Sequence, residues 1–294
     1  MPTGRLSAVF FGIFAYLLWG LFPAYFPLLE PAAPLEIIAH RIIWTLVFMA
    51  GVLSVSGRWH ELFRASRQTW LRLTASGFLI AINWLVYVIA VNSGHVADAA
   101  LGYFINPLVS VLLGVVFLHE RLRPLQTLSV SIAAAAVLLL TIVGGQPPIM
   151  GLLLAFSFGL YGLVKKGVSV SPQASVAAET MVTAPFALGY VAWLHAADNS
   201  SFAQEGLSYS LLLISTGVVT AVPLLLFGAA AKRIPLATIG MLQYITPTMQ
   251  MLWAVFVMHE HLSTVRWIGF VVIWVSVALY LLDLGFRQRG RARA

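Results

Sequence analysis

Two segments of this chain, 140 positions apart, carry one pattern. Ile105-Asn106-Pro107 followed by His119-Glu120-Arg121-Leu122 returns as Ile245-Thr246-Pro247 followed by His259-Glu260-His261-Leu262. Ala97/Ala237, Leu112/Leu252 and Val115/Val255 keep the same register. The surrounding sequence is almost continuously apolar, so the repeat implies a duplicated helical membrane protein. Duplicated halves with a site between them are the common plan of secondary transporters.

Composition removes the alternatives. With 60% hydrophobic and 9% charged residues and a mean hydropathy of +0.92, the chain lacks the polar surface of a soluble domain. It has no cysteine, hence no disulfide, thiolate nucleophile or thiolate metal site. A net charge of +7 raises a nucleic-acid reading, but the charges occupy short connections between apolar runs and the C-terminal tail. The first apolar run is too long for a signal peptide and has no clear small-residue cleavage site, so it counts as a span.

A membrane-crossing helix needs about 20 mostly apolar residues. The sequence offers Leu6–Phe26, Ala33–Val55, Leu71–Val91, Ala97–Leu118, Leu125–Val143, Met150–Val164, Ser175–Leu194, Leu211–Ala231, Leu236–Met258 and Val265–Leu282. With a cytoplasmic N-terminus, 15 of the 17 Lys and Arg residues fall in inside segments; only Arg266 lies outside, and Arg41 within a span. That asymmetry is the positive-inside rule, with both termini cytoplasmic. The expected fold class is therefore an all-α integral membrane protein of ten helices. Residues 1–145 form one five-helix repeat; residues 146–294 form the second, inverted because five is odd, and carry a basic tail.

Polar groups at membrane depth are the informative ones. The fourth span carries Tyr103, Asn106 and Ser110 on one face; the ninth carries Gln243, Thr246 and Gln250 at the equivalent positions. The two stripes either line a common central space or tie helices together by hydrogen bonds worth about 0.6–2 kcal/mol each. Pro107 and Pro247 free the carbonyls of Tyr103 and Gln243, either to line a wet cavity and bend a moving helix or only to shape packing. Asn83 and Tyr87 flank Trp84 on the third span, while Trp19 and Tyr161 each precede a glycine well inside a span.

Arg41 is the costliest residue to place, about 2.5–3.5 kcal/mol at a helix centre. Snorkelling outward toward Glu36 or Asp98 is the expected relief. His40 or Glu179 is a candidate carrier of a coupling proton; a static ion pair is the alternative. Lys165 and Lys166 read as inside-loop charges. His259-Glu260-His261 lacks helical metal spacing, and no Walker lysine, nucleophile elbow or HExxH occurs, so neither metal nor cofactor is expected. The tail from Arg287 to Arg293 serves as a topological anchor or touches anionic lipid.

Asn83-Trp84-x-x-Tyr87, the run from Leu101 to Leu108 with Glu120-Arg121-Leu122, Ser157 to Gly162, Val219 to Phe227, and Leu242-Gln243-Tyr244-Ile245-x-Pro247-Thr248 together resemble the RarD branch of EamA-type permeases in the drug/metabolite transporter superfamily. With His40-Arg41, the resemblance runs over nearly the whole chain, and the set is specific to that branch. It implies export of small metabolites by alternating access, with spans 1–4 and 6–9 around a central cavity and spans 5 and 10 peripheral. The branch is conventionally labelled a chloramphenicol-sensitivity or resistance permease, a label that does not name a natural substrate.

The favoured expectation is a plasma-membrane carrier for a small amphipathic organic solute, with protons and membrane lipids as further partners and no nucleic acid. Trp19, Trp84, Tyr87, Tyr103, Tyr161 and Tyr244 would stack on its apolar part, and Asn83, Asn106, Gln243, Thr246 and Gln250 would hold its polar groups. A facilitative uniporter or channel is the alternative. A membrane-embedded enzyme would need an acid/base or metal cluster, and a scaffold would need larger loops; the sequence offers neither.

Overall fold

The computed structural model describes residues 3–92, 96–144, 149–257, 259 and 264–292, and every regular element among them is a helix. The repeat residues Glu260, His261 and Leu262 lie outside the described residues. The long helices are α1 (Thr3–Gly20), α2 (Pro34–Ser56), α3 (Arg67–Asn92), α4 (Val96–Leu118), α5 (Pro124–Gly144), α6 (Ile149–Lys166), α7 (Pro172–Ala196), α8 (Leu207–Ala231), α9 in two pieces (Leu236–Gln243 and Ile245–Phe256) and α10 (Thr264–Ala292). Proline opens α2 and α7, where its missing N–H is no loss. Gly57 ends α2 at φ 65°, its N–H returning to Leu53 and Ser54 carbonyls.

Six stretches are long and apolar enough to cross a membrane: Leu6–Leu29, Pro34–Ser56, Arg67–Tyr87, Pro124–Ile142, Ile149–Lys166 and Leu207–Ala231. Shorter apolar helices run over Gly102–Leu118 and Trp267–Asp283. Their outer faces keep Phe10, Phe14, Leu138, Ile142 and Val275 exposed, as lipid contact requires.

The packing pairs α2 with α7, α4 with α9, and α5 with α10. It also pairs α3 with α6 and α7, α8 with α1 and α2, α4 with α6, and α9 with α1. Exchanging each helix for the one five places away leaves this set of pairings unchanged. Two glycines 140 positions apart make corresponding close approaches. A methyl on Gly77 would sit 2.9 Å from the Glu179 carbonyl oxygen on α7, and one on Gly217 would run into the Trp44 carbonyl on α2. The hydroxyl of Thr45 donates to the Gly217 carbonyl across the second approach.

The histidine of the repeated motif has a structural job. His119 and His259 both adopt left-handed φ, 51° and 54°. After α4, Glu120 N–H reaches back to the Gly114 carbonyl at 3.0 Å, closing the helix. Its carboxylate then accepts the Leu236 and Ala237 N–H groups at 2.7 and 2.9 Å, covering the orphan donors and positive end of α9. The first motif thus ties one half of the chain to the other.

The two prolines behave differently. Helix α4 runs on through Pro107, whereas α9 breaks at Tyr244, beside the Gln243 carbonyl that Pro247 leaves without its donor. The Pro107 carbonyl lies where a methyl on Gly240 would be, 2.6 Å away, so the helices cross at this level.

Gly217→Ala is expected to lower the thermal midpoint in detergent by an overpacking cost of about 1–3 kcal/mol. Gly51→Ala, where a methyl meets nothing within 4 Å, is expected to leave it unchanged or raised. Equal effects from the two substitutions would refute the close-approach assignment.

Candidate functional site

Arg41 sits about two turns into α2 and is 7% exposed. Its Nε donates to the Thr220 hydroxyl of α8 at 3.0 Å. Its guanidinium carbon lies 4.3 Å from the Trp84 ring, 5.3 Å from Phe26 and 5.6 Å from Phe22. Tyr25, Tyr87 and Tyr103 are within electrostatic reach, and the Tyr87 and Tyr103 rings meet at 6.0 Å. This corrects the outward-snorkelling expectation. Glu36 is not the counter-charge: its Oε1 accepts from the Ser200 hydroxyl (3.0 Å) and Ser201 N–H (2.8 Å) and lies 3.9 Å from His40. The Asp98 side chain is outside the described residues.

No carboxylate among the described residues pairs with Arg41. Burying its charge costs several kcal/mol. Each cation–π contact returns about 0.5–2 kcal/mol and the charged hydrogen bond about 1.5–3 kcal/mol. Aromatic faces and one hydroxyl therefore make the position tolerable without neutralising it.

The other sequence-selected residues separate into three groups. Tyr87, Tyr103 and Trp84 join Arg41; Tyr87 keeps about a third of its surface exposed, at 36%. Asn106 and Gln243 are buried near the α4–α9 crossing, each with a side-chain oxygen that lacks a partner. Gln250 is partly exposed on the same face of α9. The remainder are engaged in packing. The Asn83 amide donates to the Leu154 carbonyl and Ser157 hydroxyl, both at 2.9 Å. Thr246 donates to the Tyr16 carbonyl, and Tyr244 to that of Phe104. Trp19 and Tyr161 belong to an aromatic cluster with Tyr16, Phe158 and Phe227, where Tyr161 stacks on Phe227 at 5.6 Å.

Beneath that cluster lies an ion pair that the sequence did not reveal. Lys165, read as a loop charge, is 1% exposed and donates to Glu179 Oε1 at 2.6 Å. The Ser76 and Ser175 hydroxyls donate to the same oxygen, and the Tyr161 hydroxyl to Oε2. The close approach at Gly77 brings Ser76 of α3 to α7, and Gly228 of α8 leaves room for the lysine stem. One signal was available: Lys165 follows Tyr161 by four residues and so shares its inward face. His40 is also satisfied at one nitrogen, its Nδ1 accepting from Trp44 Nε1 at 3.2 Å.

The surrounding face is interlocked. Thr69 and Ser169 hydroxyls meet at 2.9 Å, Arg72 donates to the Gly167 carbonyl, and Lys232 donates to that of Val170. Glu61 Oε2 accepts the Ser171 N–H at 2.6 Å. Burial pushes the Glu61 carboxyl up, but the Ser171 bonds, then Arg58 and His60, outweigh it and hold the group below its ordinary 4.5. At the opposite face Tyr25 joins Ser215, and Tyr209 joins Leu29 and Ala32. A groove of about 340 Å³ between α1 and α8 shares Phe22 and Tyr25 with the Arg41 surroundings.

Glu179→Gln leaves Lys165 buried and unpaired, so a loss of about 3–5 kcal/mol is expected in reversible detergent unfolding. Adding Lys165→Met is expected to recover most of it; strictly additive losses would refute the coupling. Because Glu61 is depressed, its stabilisation is full above 4.5 and is lost as pH falls through the lower folded value. Glu61→Gln is therefore expected to flatten the thermal midpoint in that acid range, and an unchanged acid limb would contradict the assignment.

Comparison with known proteins matches this geometry to a family. The model of the EamA-like transporter family matches twice, over residues 6–142 and 147–282. Protein RarD of Streptomyces exfoliatus is 45% identical over 291 residues, covering 98% of this chain and 92% of that protein. The uncharacterized transporter YojE of Bacillus subtilis strain 168 is 45% identical over 279 residues, 93% of each chain. A solved crystal structure at 21% identity shares the fold, with a TM-score of 0.74 over 95% of this chain and 98% of that one. The chain therefore belongs to the EamA-like transporter family, in its RarD-type branch, as a multi-pass plasma-membrane transporter of a small-molecule substrate.

Proposed function

We propose that the chain is a secondary exporter of a small amphipathic organic solute, working by alternating access between two inverted five-helix repeats, residues 1–145 and 146–294. The reading takes ten spans with both termini cytoplasmic, so the interlocked face with Lys165 and Glu179 is the cytoplasmic one. The helix pairings that survive exchange of the halves support the duplication, as does the double match of the family model; inversion is the reading that five spans per half gives. Export follows from the RarD-type family likeness.

One observation carries the reading: the polar and aromatic groups form a column with a seal at one end. Arg41, Trp84, Tyr87 and Tyr103 stand on the outer side of the aromatic cluster, and Lys165–Glu179 stands on its inner side. A ligand seated among the first group faces a closed cytoplasmic gate. Asn106, Gln243 and Gln250 extend the site's polar lining. Asn83, Thr246 and Tyr244 stiffen its walls, and Trp19 and Tyr161 form its floor. Pro247, at the break in α9, and Pro107, at the crossing, are the bending points.

A facilitative carrier is the second reading, favoured by the state of the carboxylates. Glu36 and Glu179 each hold several donors, which leaves neither idle for a travelling proton. In that case Glu179 is a latch, and His40 a support for Trp44, with neither carrying the coupling ion.

The cysteine-free chain makes the test direct. A single cysteine at Tyr87 is expected to react with a membrane-impermeant maleimide from both faces of oriented vesicles. A Thr69→Cys/Ser169→Cys disulfide, placed where two hydroxyls already meet at 2.9 Å, is expected to abolish only cytoplasmic labelling and to stop transport until reduced. Labelling from one face alone, with or without the disulfide, would sink alternating access at this site.

A further inference from the structure

Most buried charges among the described residues have their answer nearby. Glu179 has Lys165, Glu36 has Ser200 and Ser201, and the partly buried Glu120 has the α9 amides. Arg41 departs from this. It is buried, permanently charged, and faced by rings on Trp84, Phe26 and Phe22, with no carboxylate paired to it among the described side chains. Its Nε is taken by Thr220, which orients the guanidinium. The two terminal nitrogens then form the fork that suits a carboxylate or similar planar anion. Tyr87 and Tyr103, whose rings meet at 6.0 Å, are within electrostatic reach of the guanidinium, and Tyr87 keeps about a third of its surface open at 36%.

We infer that Arg41 is an anion anchor and that the substrate is an amphipathic organic anion whose charged group pairs with Arg41 while its ring or chain lies against Trp84, Tyr87 and Tyr103. This rests on the central-site reading above and narrows it. A cationic solute is disfavoured by direct repulsion from the guanidinium. A neutral one would leave the guanidinium's charge unanswered on binding. The aromatic surroundings fit the apolar body and also keep water away, which strengthens the ion pair in the loaded site. An anionic lipid headgroup shares this chemistry, so the test must separate the two sources.

The probes are matched pairs that differ only in charge: phenylacetate with phenylacetamide, and indole-3-acetate with indole-3-acetamide. Purified protein in neutral detergent is titrated with each, reading thermal stabilisation and slowed maleimide labelling of a Tyr87→Cys variant. Each acid is expected to bind about thirtyfold or more tightly than its amide, the ratio for a desolvated charge pair. Arg41→Gln is expected to erase the difference, and Arg41→Lys, a point charge without the fork, to retain part of it. Equal binding of acid and amide, or binding of neither, overturns the anion assignment. Two-sided labelling of Tyr87→Cys with no preference for acids would leave the central site standing. Absence of that labelling would remove the site reading instead. In nanodiscs of phosphatidylcholine, added phosphatidylglycerol is expected not to displace the acids. Displacement in the wild type but not in Arg41→Gln would assign the anchor to lipid and overturn the substrate assignment.

Discussion

Hydrocarbon offers no hydrogen bonds, so a polar group carried into this bundle needs a partner within the protein or a cavity that water or a ligand can reach. The Lys165–Glu179 pair shows how much else that requirement organises. The carboxylate draws donors from α3, α6 and α7: Ser76, Lys165, Tyr161 and Ser175. Ser76 arrives because Gly77 lets α3 lie against the α7 backbone, and Gly228 leaves the lysine stem room that a methyl would narrow to 3.3 Å. Small residues thus set the helix spacing, and the spacing satisfies the charge. Replacing any of these residues disturbs both at once.

Two kinds of buried charge coexist. Glu120 and Glu179 are saturated by protein donors and fix one element against another. Arg41 is held by geometry, through Thr220 and aromatic faces, without a described carboxylate. A saturated charge lowers the energy of a single arrangement, which suits a hinge stop or a seal. An unsaturated one raises the energy of the empty protein and is useful where a ligand supplies the missing interaction. The contrast separates structural ionic groups from recognition groups more sharply than depth in the membrane does, since all of them are buried or nearly so.

Much of the architecture was legible because its signals are additive. Apolar runs, proline at helix starts and the one-sided basic residues accumulate over tens of residues and survive local exceptions. Arg41 was readable as the costliest residue to place, but its position was not: outward snorkelling was expected, and it lies instead against the Trp84, Phe26 and Phe22 rings. What was not legible depended on neighbours remote in sequence. Lys165 looked like a loop charge because Glu179 lies fourteen residues on, in a different helix. Asn83 looked like a ligand-binding amide because nothing in its own helix reveals Leu154 and Ser157 waiting on α6. Pro107 and Pro247 share a motif, yet only the second accompanies a broken helix. The repeat reported common ancestry of the two prolines, while their packing partners decided which helix yields.

In the proposed reading, the two faces are closed by unlike means, and the difference bears on direction. The cytoplasmic seal combines an ion pair with hydroxyl donors and the stacked aromatic floor. The outer contacts hold no ion pair of this kind among the described residues: Tyr25 meets Ser215, Tyr209 meets Leu29, and the lone Glu36 carboxylate accepts from the hydroxyl and amide of successive serines. Opening the inner side separates two paired charges, whereas opening the outer side exposes one carboxylate and neutral donors whose hydrogen bonds water can replace. The empty carrier is thereby biased outward. A ligand that enters from the cytoplasm must supply enough differential binding energy in the inward state to offset that bias. A guanidinium that no described carboxylate pairs is a source of such energy, because its pairing is worth most when water has been expelled around it. The seal and the anchor are then parts of one cycle: the saturated pair sets the resting state, and the unsaturated one supplies the interaction that leaves it.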